Sequence, residues 1–175
     1  MSPRLRKFAL TAHVTSSVGW LGAVAGVLAL AVLGLTSEDA QKVRSAYLVM
    51  EPVSWFVLVP LAFASLLTGL VQSLGTTWGL FRHYWVLFKL LINVVATIVL
   101  MVYTQTLGSL ADVAAETTAS GDDLSGLRSP SPVLHAGGGL LLLLSATALA
   151  VYKPRGMTRY GRRKQQELRK EPGTP

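Results

Sequence analysis

The chain is 175 residues long, 51% hydrophobic and 14% charged, with a mean hydropathy of +0.47 and a formal net charge of +7. A soluble domain of this length carries about a quarter charged residues, so the composition points away from an ordinary globular enzyme and towards a membrane protein. With no cysteine in the chain, disulfides, thiolate metal sites, iron–sulfur clusters and covalently attached c-type haem are excluded as well.

The apolar residues fall in four blocks. Phe8 to Leu35 has no Asp, Glu, Lys or Arg, Pro52 to Phe81 has none, His83 to Ala111 has only Lys89, and Ser129 to Tyr152 has none. A bilayer core is crossed by about 20 mostly apolar helical residues, and each block meets that length. The sequence therefore predicts an all-α fold: a four-transmembrane-helix bundle over residues 1–152, with helices at about 8–34, 46–74, 84–108 and 133–152. The first block is much longer than the 7–15 residues of a signal-peptide core and reads as a retained helix.

After the first helix, residues 36–44 read as an outer loop in which Thr36 or Ser37 caps a short polar turn. Pro52 suits the first turn of the second helix, and Pro60 lies inside it and should kink it. Residues 75–82 form a short inner loop. Residues 109–132, rich in Ala, Ser, Gly, Asp and Pro, read as a long mobile outer loop. Residues 153–175 form a basic cytoplasmic tail, disordered at its Glu171–Pro175 end.

Charge follows this topology. Twelve of the sixteen Lys and Arg residues fall before the first helix, in the inner loop or in the tail, three fall in the outer loops, and Lys89 lies within a span. The positive-inside rule then puts both termini in the cytoplasm of a multi-pass plasma-membrane protein. The tail holds eight of the basic residues and reads as a topology anchor that contacts anionic lipid headgroups, with no nucleic-acid role.

Polar side chains in a bilayer face the bundle interior. Each helix has such a stripe: His13, Ser16 or Ser17, and Trp20; then Glu51, Ser54, Ser65, Thr68 and Gln72; then Lys89, Asn93, Thr97 and Thr104; then His135, Gly138 or Gly139, and Ser145. Gly22-x-x-x-Gly26 and Gly137–Gly139 predict close helix packing or, as the alternative, clearance for a flat ligand beside the helix, and both also offer faces for homo- or hetero-oligomers.

His13 and Lys89 each stand about 10 Å inside the cytoplasmic boundary, counted at 1.5 Å per residue from Lys7 and Arg82. They form an inner cluster with His83, while His135 and Glu51 form an outer one. His13 is either a neutral imidazole bonded to Ser17 or a backbone carbonyl, or an axial ligand to haem iron. Lys89 either snorkels to the headgroups or holds an anion. His83, beside Tyr84 and Trp85, reads as an aromatic-belt residue, and His135 as a helix-start residue or a second ligand.

His13, Trp20 seven residues on and Gly22 resemble the first helix of the copper-resistance CopD-like membrane proteins and of the HemJ-type protoporphyrinogen oxidases. Trp85-Val86-Leu87-Phe88-Lys89-Leu90-Leu91 resembles the HemJ-type third helix with its Trp and Lys. The likeness covers the layout of three helices and about five residues in detail, and extends to uncharacterised bacterial four-helix membrane proteins near these families. It implies a bundle that holds b-type haem through His13, with Lys89 near a haem carboxylate. HemJ-type proteins often carry a further histidine near that lysine; here Val86, Leu87 and Phe88 are apolar, so oxidase activity does not follow.

The sequence reading is a polytopic inner-membrane protein of undetermined activity; among specific roles, binding haem b within the bundle for a redox role comes first, with His13, Lys89, His135, Trp20 and His83 as candidate site residues. The alternatives are a non-enzymatic accessory or permease-like subunit, and a copper-handling protein. No Met-rich path supports the last, since Met1, Met50, Met101 and Met157 are scattered.

Overall fold

The computed structural model describes residues 2–75, 80–116, 124–154 and 156–170. It is helical, with α1 at Pro3–Thr36, α2 at Ala40–Val53, a π-helical segment at Ser54–Leu58, α3 at Val59–Gly75, α4 at Tyr84–Glu116, α5 at Ser131–Tyr152 and α6 at Arg159–Lys170. Four stretches are long and apolar enough to cross a membrane: α1, the continuous rod of α2, π-segment and α3, then α4 and α5. The order and number of spans match the apolar blocks of the sequence.

The helices outrun those blocks because local chemistry extends them. Ser2 caps α1, its Oγ accepting from the Leu5 N–H at 3.4 Å, and Pro3 takes the first turn, where a missing N–H costs nothing. The expected loop at 36–44 shrinks to three residues. Asp39, rather than Thr36 or Ser37, is the cap: its carboxylate accepts from Gln41 N–H at 3.0 Å and Lys42 N–H at 3.3 Å. The Lys42 backbone bond, with help from the Gln41 bond and the Lys42 ammonium at 3.4 Å, holds the Asp39 carboxyl below its ordinary pKa.

Because α2 starts at Ala40, Pro52 stands inside a helix and not at its first turn. Pro60 lacks an N–H, and its ring would press on the carbonyl of Phe56 in a regular α-helix. The chain answers by widening: Val59 N–H bonds to the Ser54 carbonyl, five residues back, across the π-segment. Ser54 is buried and donates its hydroxyl to the Met50 carbonyl at 2.7 Å.

The long mobile loop expected at 109–132 is also shortened. The Ala-rich end of α4 continues to Glu116, with Ala111 and Ala114 buried against the α2 side of the bundle. Residues 124–128 form a turn whose Leu127 is fully buried and whose carbonyl accepts from the Tyr47 hydroxyl. The mobile character expected of residues 117–123 lies outside the described residues, as does the disorder expected of 171–175.

The core runs along the bundle axis. Trp20, Val24, Val27 and Ala31 of α1 recur at helical spacing and meet Val43, Tyr47 and Met50 of α2, Ala62 of α3, Ala96 and Leu107 of α4, and Leu143 of α5. α1 packs chiefly against α3 and α5, and α4 against α2 and α5. Gly22 and Gly26 do not serve this packing. Both are exposed, and a Cβ at either would meet nothing within 4 Å. Gly139 and Gly137 approach Val24 and Leu28 of α1, so only the α5 glycines do what the sequence predicted. Ser145 faces outward too, returning its hydroxyl to the Leu141 carbonyl at 2.8 Å.

Part of the tail is folded back. Thr158 N–H donates to the Arg82 carbonyl at 3.0 Å, the Thr158 hydroxyl donates to Phe81 O at 2.5 Å, and Tyr84 N–H donates to Gly156 O at 3.3 Å. Thr158 Oγ1 also accepts from Gly161 N–H at 3.0 Å, capping α6. This clip closes the end of the bundle that carries the start of α1 and the tail helix α6, called the basic end below.

Candidate functional site

The polar stripes of α1 and α3 interlock. Gln72 donates to the Ala9 carbonyl at 3.0 Å, Ser17 and Ser65 share a hydroxyl bond at 2.8 Å, and His13 Nδ1 lies 3.1 Å from both the Ser65 carbonyl and the Thr68 hydroxyl. Polar groups in a bilayer need such internal partners, and here each satisfies a group of the facing helix.

The His13 tautomer follows from its partners. The Ser65 carbonyl can only accept. The Thr68 hydroxyl spends its proton on the Ala64 carbonyl at 2.5 Å and offers Nδ1 a lone pair. Nδ1 therefore carries the hydrogen and Nε2 keeps its lone pair. Nε2 has no hydrogen-bond partner among the described residues. An imidazole fixed by an Nδ1–H···O=C bond with Nε2 free is the arrangement that metal-ligating histidines use.

His13 lines a cavity of about 820 Å³ at the basic end of the bundle. Lys89 and Asn93 of α4, Trp20 of α1, Arg6 at the start of α1 and Lys153 at the end of α5 line the same space. The volume falls within the 300–1,000 Å³ of typical ligand sites. Lys89 has no carboxylate partner among the described residues; its ammonium sits 6.0 Å from the Trp85 ring centre. A cation inside a span without a counter-ion costs several kcal/mol, about 2.5–3.5 on insertion scales, which an anionic ligand would offset. Asn93 and Thr97 do not help it, since both return their side chains to their own helix, at 2.8 Å each.

The other predicted residues lie elsewhere. His83 is in the linker before α4, bridged to Met157 in the clip, and does not line the cavity. His135 is in the first turn of α5, with Nδ1 2.9 Å from the Ser131 carbonyl and its ring stacked on Tyr103 at 3.8 Å. It lines a second, apolar cavity of about 230 Å³. Glu51 lies by Gly108, its Oε1 3.8 Å from where a Cβ on that glycine would stand. Trp20 lines both cavities. Among the described residues no three His, Cys, Asp or Glu side chains gather as a metal site.

Gly69 was missed by sequence reasoning. It lies against the His13 ring, one helical step past Thr68. Its only sequence signal is a glycine four residues after Ser65 on the same polar face. The chain matches no family model, no curated protein and no solved structure, so the functional reading rests on this geometry.

Proposed function

We propose that the chain is a plasma-membrane protein with both termini in the cytoplasm, whose inner cavity holds b-type haem for a redox role. The observation that carries the reading is His13: Nδ1–H is tied to the Ser65 carbonyl, and Nε2 has no hydrogen-bond partner among the described residues, on a cavity that also holds Lys89, which has no carboxylate partner among them. The residues fit the group. Nε2 of His13 would bind the iron, Lys89 would take a carboxylate, with Arg6 and Lys153 nearer the aqueous boundary, and Trp20, Val86 and Leu143 supply apolar wall. Bound there, haem supplies one-electron redox chemistry. The chain orients the imidazole through Ser65 and Thr68.

The orientation is supported by the clip, which gathers the basic linker and tail at one end with Arg4, Arg6 and Lys7. α6 is strongly basic and would lie against anionic headgroups. A second reading has its own support: Gly22 and Gly26 present an open small-residue face to the bilayer, suited to a second helix from a like or unlike subunit.

The test is the oxidised and dithionite-reduced visible spectrum of the protein purified in mild detergent from haem-replete cells. A Soret band with sharp reduced bands, lost in His13→Ala, is expected. A colourless wild-type protein from the same cells overturns the proposal and leaves the packing role.

A further inference from the structure

The cavity that holds His13 is open sideways. Leu10, Val14 and Val18 recur every four residues along α1 and line it, yet they are 53%, 50% and 62% exposed. Val151 of α5 lines it from the other side and is 70% exposed. In a bilayer such a surface meets acyl chains, so the outer part of the cavity is a cleft between α1 and α5 that lipid reaches from the side.

The mouth of this cleft is cationic. Arg6, near the start of α1, and Lys153, the residue that ends α5, line the same cavity at the basic end, and both are exposed. No Asp or Glu lines it among the described residues, and Lys153 is close enough to Lys89 for the two charges to repel each other. Lys153 also holds a left-handed backbone, with φ at 42°. That conformation is disfavoured for a residue with a Cβ, and a helix commonly ends there on glycine. The chain keeps a lysine instead, and its side chain adds a cation to the cavity wall.

We infer that the cleft is a binding site for one anionic phospholipid of the leaflet at the basic end. Its phosphate lies between Arg6 and Lys153, where the guanidinium offers paired donors to the oxygens, and an acyl chain lies along Leu10, Val14 and Val18. The cations with no lining carboxylate select against a zwitterionic head, which brings a positive group of its own. The apolar row open to the bilayer selects against a soluble anion. At 1.5 Å per residue Arg6 is about 10 Å short of His13, so the headgroup does not take the place of a ligand on that imidazole. The site is distinct from the general attraction of α6 to the membrane surface, because it needs two helices and a cleft.

Native mass spectrometry tests it by counting lipids retained when protein stripped of lipid in detergent is mixed with equal amounts of phosphatidylglycerol and phosphatidylcholine of the same chains. Wild type should retain one phosphatidylglycerol, preferred at least about tenfold, the scale of two cations at a membrane surface. Arg6→Gln/Lys153→Gln should lose the preference. Arg4→Gln/Arg159→Gln takes the same charge from the same end at residues that line neither cavity, and should keep it. Val14→Trp should fill the cleft and lower retention about tenfold, whereas Val32→Trp, on α1 but lining neither cavity, should not. All these positions are exposed, so the substitutions spare the core. His13→Ala should retain the lipid, so this assignment and the haem reading stand or fall separately. Equal retention of the two lipids by wild type, or the same loss in both charge pairs, would reduce the site to a basic surface and overturn the inference. So would unchanged retention in Val14→Trp. Displacement of the lipid by glycerol phosphate, the head without its chains, would make this a site for a soluble phosphate and overturn it too.

Discussion

The imidazole of His13 lies against the backbone of Gly69: a Cβ on that glycine would stand 3.1 Å from His13 Cε1 and 3.5 Å from Nδ1. The ring cannot retreat freely, because Nδ1 is held by Ser65 and Thr68. Gly69→Ala should therefore turn the ring off its carbonyl and weaken haem retention about tenfold, the scale of a modest overpacking cost. Gly22→Ala, which adds its methyl to open space, should leave retention unchanged. Haem-to-protein ratios after dilution into haem-free detergent check both.

Lys89 makes opposite predictions for the empty and filled protein. Removing an uncompensated cation from a span should raise the thermal midpoint of haem-free Lys89→Met above wild type. The same change should lower haem affinity about tenfold or more, with reduced-band positions kept, since His13, the iron ligand proposed above, is untouched. Thermal melts and haem titrations of the two proteins separate these effects. A fall in both would mean that Lys89 is a structural group.

Tyr47 ties the far end together. It is 1% exposed, its hydroxyl donates to the Leu127 carbonyl, and a Cβ at Gly34 would meet its ring at 3.1 Å. Tyr47→Phe keeps the packing but strands a buried carbonyl, at a cost of about 1–3 kcal/mol. The expected outcome is a lower midpoint and faster tryptic cleavage after Arg128, with the visible spectrum unchanged.

Thr158 should govern the tail. Thr158→Val removes the hydroxyl that bonds Phe81 and caps Gly161, a loss of about 1 kcal/mol for the cap alone. α6 should detach from the basic end, read as faster trypsin cleavage after Arg159 and Arg162 and as loss of amide protection at Gly161. The membrane core, followed by its thermal midpoint, should change little.

The spans were legible because lipid imposes one strong rule, long runs without charge, and the four blocks obey it. The facing stripes of α1 and α3 were legible for a related reason: a polar side chain at helical spacing has nowhere to go but a neighbour. Counting residues from Lys7 and Arg82 placed His13 and Lys89 at one depth, and they line one cavity. Which carbonyl His13 would choose was not legible, since Ser65 is 52 residues away in sequence. Nor was the clip, which depends on backbone bonds between residues 81–84 and 156–158 with no side-chain pattern to announce them. Gly22 and Gly26 misled because a small-residue pair marks a face for close approach without saying whether the partner is in the same chain.

The π-segment at Ser54–Leu58 sets the rotational phase of everything after it. One residue more than an α-turn is wound in there, so the part of the rod below it is turned by roughly 100° relative to an unbroken α-helix. That offset is what lets Ser54 stay buried beside α2 while Ser65, Thr68 and Gly69 face α1. Deleting a single residue from this segment would leave every side chain of α3 chemically intact and aim the whole polar face away from His13.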